Sequence, residues 1–177
     1  MTDVIVLAMH GAPPNDFPAN ETAELLTLHF RLEHMPKGSR PELDARAAQL
    51  EIKMRNWPRN TTNDPFYTGS LELAENLRLA TSREVILGFN EFCAPSLEHA
   101  LAEAADLNPE RVVVITPMMT RGGEHSEVDI PTAVRQAQER HLEISFVYIW
   151  PFDSSLVHIG INKPTIMPRG LCPYRST

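Results

Sequence analysis

Positive charge is scarce in this chain: 16 lysines and arginines stand against 23 aspartates and glutamates, a formal net charge of −7 with a pI near 5.5. A field of that sign repels polyphosphate and anionic headgroups, which excludes general binding to nucleic acid or to a membrane surface. Any anionic ligand must be met by a local patch of cations. Long apolar runs are missing as well. None approaches the stretch of about eighteen residues that a membrane span takes, and Met1 leads into the polar Thr2-Asp3 rather than a signal peptide, so a cytoplasmic protein is expected. Cysteine is nearly absent. Cys93 and Cys172 lie far apart without CxxC spacing, which excludes a disulfide framework and a zinc ribbon and leaves Cys93 as a small buried hydrophobe.

What is present is a globular composition, 42% hydrophobic and 22% charged, over 177 residues. That is enough chain to bury one full core and too little for two ordinary domains, so a single domain over 1–177 is expected. Four short runs, at 4–9, 85–89, 112–115 and 144–150, are rich in β-branched and aromatic residues and almost continuously apolar. Continuous apolarity predicts strands buried on both faces, as in a parallel sheet covered by helices. Leu97, Ala100, Leu101, Ala104 and Ala105 follow Pro95-Ser96 at helical spacing, and 126–140 carries a second helical pattern. This alternation is a βαβ chain, hence an α/β fold with a mainly parallel four-stranded sheet flanked by helices. Residues 13–82, punctuated by Pro13-Pro14, Pro36, Pro41, Pro58 and Pro65, carry helical patterns at 23–34, 42–55 and 70–80. That exceeds what a crossover needs and reads as a helical segment inserted after the first strand. Residues 161–177, with three prolines, read as an extended tail.

In open parallel sheets, ligands bind beyond the carboxyl ends of the strands. Those ends are His10-Gly11, Asn90-Glu91, the loop 116–125 and Trp150-Pro151, so two histidines and a carboxylate are expected on one rim. Imidazole suits cobalt, nickel, iron and zinc, and two or three protein ligands leave coordination positions open for exchange. A lone histidine is more often packed or solvated than a ligand. Two at matching strand ends, one beside Gly11 and the other after Gly122-Gly123, shift the balance toward a shared metal. His10 and His125 are the metal-ligand candidates, and Glu91 is a third ligand or a proton relay.

Anion-binding groups are sparser. Arg121 with the backbone amides of Gly122 and Gly123, ahead of a helix, forms a candidate carboxylate cradle. Residues 37–59 hold six basic residues against three acidic ones. This excess reads either as a solvated helix face or as a lid that meets acidic groups, in which Arg55 and Arg59 touch the ligand and contribute little to the fold. Met118, Met119, Phe92, Trp150 and Phe152 border the rim, as apolar walls or as ordinary core.

The opening VIVLAMHGA, the middle EVILGFNEFCAPSLEHALAEA and above all RVVVITPMMTRGGEHSEVDIP resemble the class II, ATP-independent tetrapyrrole metal chelatases of the sirohydrochlorin cobaltochelatase type. The family pattern falls on His10-Gly11, on Glu91 with Pro95, and on Pro117, Gly123, His125 and Asp129-Ile130-Pro131; Ala12 stands where the family often has Ser. The resemblance implies a chelatase-like three-layer fold, metal on His10 and His125, and substrate contacts from Gly11, Arg121, Gly122 and Gly123. It also implies insertion of cobalt, or else iron or nickel, into a sirohydrochlorin-like tetrapyrrole without an organic cofactor, as in cobalamin or sirohaem-type biosynthesis. Where larger members use two such units, a single unit has an incomplete cleft, and the resemblance then implies a homodimer. Two readings compete: a non-catalytic carrier of metal or tetrapyrrole, and a histidine phosphatase. The second wants an Arg directly before the first histidine, where Met9 stands.

Overall fold

The structure, a computed structural model, describes residues 3–36 and 38–151. Phe152 and the expected tail at 161–177 lie outside the described residues. Four parallel strands make one sheet: β1 (Asp3–Met9), β2 (Glu84–Phe89), β3 (Arg111–Ile115) and β4 (Ser145–Tyr148), in the order β2-β1-β3-β4. The most continuously apolar run, β1, takes a central place, where both faces are covered. Its register pairs Met9 with Phe89 at the carboxyl end, so the residues that follow β1 and β2 emerge side by side. At the other end Asp3 accepts from Arg111 and pairs with Arg83, and the Arg111 bonds with these two charges hold its carboxyl below the ordinary carboxylate range.

Helices α1 (Ala19–Glu33), α2 (Pro41–Arg55) and α3 (Pro65–Thr81) lie between β1 and β2; α4 (Leu97–Asp106) joins β2 to β3, and α5 (Ile130–Arg140) joins β3 to β4. Local chemistry starts them. Pro41 and Pro65 supply fixed φ where an N–H is not needed, and the carboxylate of Asp64 accepts from the Tyr67 amide. The Ser96 hydroxyl does the same for His99 at the start of α4.

α4 and α5 cover one face of the sheet, packing Leu97, Ala100, Leu101, Ile130 and Val134 on Val6, Val112 and Val114. Burying each larger aliphatic side chain contributes about 1.5–3 kcal/mol. That outweighs the few tenths that propensity supplies per residue, so packing decides where these helices lie. Gly88 lets α4 approach closely, since a Cβ there would come within 2.7 Å of the Ala100 methyl. On the opposite face α3 packs Ala74, Tyr67 and Leu77 over Leu7, Leu87 and Phe89, which completes three layers. α1 and α2 pair with each other around Leu25, Leu28, Leu50 and Met54 and form a core of their own.

Two expectations are corrected. Continuous apolarity in all four runs predicts strands buried on both faces, but β3 and β4 bury only Val112, Val114 and Phe146. Val147 and Ile149 stay 39% and 57% exposed. The reason is the pairing of α1 with α2, which among the described residues leaves α3 as the helix on that face, over β1 and β2. Residues 126–140 are also not one regular helix. The segment opens with a π-helical turn, His125–Asp129, in which the Ile130 amide donates to the His125 carbonyl. Pro131 has no N–H to offer Glu127, so the regular ladder cannot close at that point.

Candidate metal centre

Backbone contacts past the strand ends build the site. The Asn90 amide donates to the Met9 carbonyl and the Glu91 amide to the His10 carbonyl, both at 2.9 Å, which extends the β1–β2 pairing beyond the last strand residues. Gly11 has φ +103°, and a Cβ there would collide with the Glu91 carbonyl oxygen. Only glycine fits. The loops carrying His10 and Glu91 therefore touch through their main chains. His125 arrives from the other side, at the head of the π-helical turn after β3.

One ligand atom from each of His10, Glu91 and His125 lies within 4.8 Å of the other two. The imidazoles stand edge to face, with ring centroids 4.6 Å apart and planes at 88°, and Nε2 of His125 is 3.8 Å from Oε1 of Glu91. All three are partly buried, which shields them from bulk solvent while leaving a path for exchange. The tautomers follow from the partners. Nδ1 of His10 is 2.7 Å from the Gly11 carbonyl, and Nδ1 of His125 is 2.6 Å from Oδ2 of Asp129. Both partners are oxygen acceptors, so each Nδ1 donates, and in the neutral ring the lone pair is on Nε2. Two imidazole nitrogens and a carboxylate make a donor set for a borderline divalent metal, with open positions left over.

Asp129 is a residue whose role sequence reasoning missed. Its position in the first turn suggests only a favourable place near a helix dipole, yet it orients His125. The available signal is the spacing His-x-x-x-Asp, which puts two side chains on one helical face.

The other candidates fall less uniformly. Arg121, Gly122 and Gly123 lie exposed in the loop before His125; the Gly123 carbonyl accepts from the Ser126 hydroxyl and the Glu127 amide. Met119 is exposed near them, while Phe92 is core, buried among α1 and α2. Trp150 donates from Nε1 to the Met118 carbonyl and stacks parallel to Tyr148.

Arg55 and Arg59 are corrected outright. Arg59 is 4% exposed and paired with Asp64, itself 1% exposed, and Arg55 pairs with Glu51. The charge of Arg59 is matched inside the protein by Asp64 and that of Arg55 by Glu51, so the pair does not form a free basic lid. Reversing Arg59 would strand a buried carboxylate beside a second one.

The family model for CbiX matches residues 64–157, more than half of the chain. The chain belongs to the CbiX family. Glu91 and His125 lie within the CbiX match; His10 precedes it and joins them through the fold. No curated protein matches the chain. Among solved structures, one described as a cobalamin (vitamin B12) biosynthesis CbiX protein from Marinobacter aquaeolei VT8 is 14% identical, with a TM-score of 0.50, covering 91% of this chain and 92% of that one. This likeness concerns the fold. The sirohydrochlorin chelatase SirB from Bacillus subtilis subspecies spizizenii, in complex with cobalt, is 13% identical with a TM-score of 0.44, over 92% of this chain and 50% of that one. SirB from Bacillus subtilis with Fe3+ is similar at 13% identity and a TM-score of 0.45, over 92% and 46%. The chain thus spans about half the length of SirB.

Proposed function

We propose that this CbiX-family chain is an ATP-independent chelatase that inserts a divalent metal into a tetrapyrrole. The observation that carries the reading is the convergence of one imidazole nitrogen from each of His10 and His125 and one carboxylate oxygen of Glu91, from the segments that follow three strands, within 4.8 Å. The metal is a substrate, and the donor set suits that role: two neutral nitrogens and one carboxylate hold an ion without enclosing it. Insertion releases two protons from the pyrrole nitrogens as the ion takes their place. Glu91 is the candidate acceptor of one proton, and an imidazole that lets go of the ion is that of the second. In this reading Arg121 and the amides of Gly122 and Gly123 face the acidic side groups of the macrocycle, and Gly11 shapes the floor beneath it. Cobalt is the first candidate metal, with iron and nickel next, and a sirohydrochlorin-like macrocycle the candidate acceptor, in a cobalamin or sirohaem-type pathway. A homodimer is the proposed assembly.

Visible absorbance of sirohydrochlorin, followed with cobalt, iron and nickel in turn, tests the activity. The expected result is protein-dependent metallation that is lost in His125→Ala. Binding of metal and tetrapyrrole without metallated product would make the chain a carrier instead. Calorimetric titration with cobalt tests the ligands. His10→Ala and His125→Ala should each remove most of the affinity, and the double variant should lose little more, because the two act as one unit. Independent, additive losses would mean that they do not share an ion.

A further inference from the structure

The segment 90–93, which carries Glu91, is neither helix nor strand, yet the carbonyls around Glu91 are hydrogen-bonded. Arg55 donates from Nη2 to the Asn90 carbonyl and from Nη1 to the Cys93 carbonyl, both at 2.9 Å. Arg59 donates from Nη2 to the Phe92 carbonyl and from Nη1 to the Ala12 carbonyl, the latter at 2.8 Å. Two guanidinium groups therefore grip the main chain on either side of Glu91 and just beyond His10. Between them Phe92 adopts a left-handed backbone, φ +58°, uncommon for an aromatic residue, and drops its ring into the α1–α2 core.

We propose that Arg55 and Arg59 are positioning residues which hold the Glu91 loop against His10 and His125, so that metal affinity is set from the end of α2 and the loop after it as well as from the sheet. The proposal rests on the metal-site reading above. Three observations carry it. The loop's carbonyls have no ladder to join, and main-chain acceptors withdrawn from water need donors. The donors come from a flat fork that can serve two carbonyls at a fixed spacing, which the single ammonium of a lysine cannot do. Finally, Glu51 and Asp64 neutralise the two arginines, which leaves geometry as what they offer the site.

Arg55 is the residue to change, because it is partly exposed and its loss strands no buried charge. Cobalt titration of the full chain, read by the visible d–d bands, compares wild type with Arg55→Lys, Arg55→Gln, Glu91→Gln and Arg55→Gln/Glu91→Gln. Both Arg55 variants should lose affinity by about tenfold or more, in the range for residues that orient ligands. Their bands should change as in Glu91→Gln, and their far-ultraviolet circular dichroism should stay that of the folded wild type. The double variant should bind about as weakly as Glu91→Gln alone, since the arginine acts through that carboxylate. Arg55→Lys separates fixed geometry from charge and serves on its own if the glutamine variant does not fold. Wild-type affinity and spectrum in Arg55→Lys, or additive losses in the double variant, overturn the proposal. A wild-type chain that binds no cobalt, or a His125→Ala variant that still binds it, overturns the metal-site reading itself.

Discussion

His10 and His125 both engage an oxygen through Nδ1, but their supports differ: one leans on a neutral backbone carbonyl, the other on a carboxylate. A charged acceptor makes the shorter, stronger bond and raises the donor strength of the far nitrogen. Asp129→Asn should therefore weaken cobalt binding by roughly 10- to 100-fold, with little change in the far-ultraviolet circular dichroism, and Asp129→Glu should recover part of the loss. Affinity unchanged in Asp129→Asn would show that the carboxylate does not set the ring. At this scale the site was readable wherever the chain itself marks a strand end. His10, Glu91 and His125 each follow an apolar run, so their meeting on one rim follows from parallel pairing. Asp129 was not readable in the same way, because a carboxylate early in a helix has a sufficient reason to be there without touching anything.

Among the elements, the π-helical turn and β4 depend on each other. The Tyr148 hydroxyl donates to the Ser126 carbonyl at 3.1 Å, and burial pushes its phenol up to about 12. Below pH about 10 both folded and unfolded chains keep that proton. From there to about 12 the unfolded chain releases it while the folded chain retains it. The folded state then binds more protons, so stability falls as pH rises through this window. Urea midpoints measured from pH 9 to 11 should decline, and the decline should be shallower in Tyr148→Phe. An identical slope in the variant would rule the tyrosine out as its source. The strands and most helices were legible because period and capping residues are local. Coverage of the sheet was not: β3 and β4 are as apolar as β1, and nothing in their own residues shows that α1 turns to α2 instead of to them. Arg55 and Arg59 misled for a related reason. Their partners Glu51 and Asp64 are near in sequence, but the carbonyls at 12, 90, 92 and 93 that draw them inward come from loops brought together by the fold.

For the molecule as a whole, an ion that binds the folded chain alone adds its binding free energy to stability. At a cobalt concentration 100-fold above Kd this is about 2.7 kcal/mol, or a rise in Tm of roughly 5–10 °C for a domain of this size. The rise should vanish with chelator and be absent in His125→Ala; a shift of equal size in that variant would place the ion elsewhere. The three candidate ligands are anchored in two different ways. With Gly11 lying against the Glu91 carbonyl and the Glu91 amide bonded to the His10 carbonyl, the loops of His10 and Glu91 are fixed to each other through their main chains. His125 rides on a separate turn that is tied through Asp129 and Tyr148. In the proposed chelatase an ion between them would be held from two separately anchored sides, one on the β1 and β2 loops and one on the turn after β3.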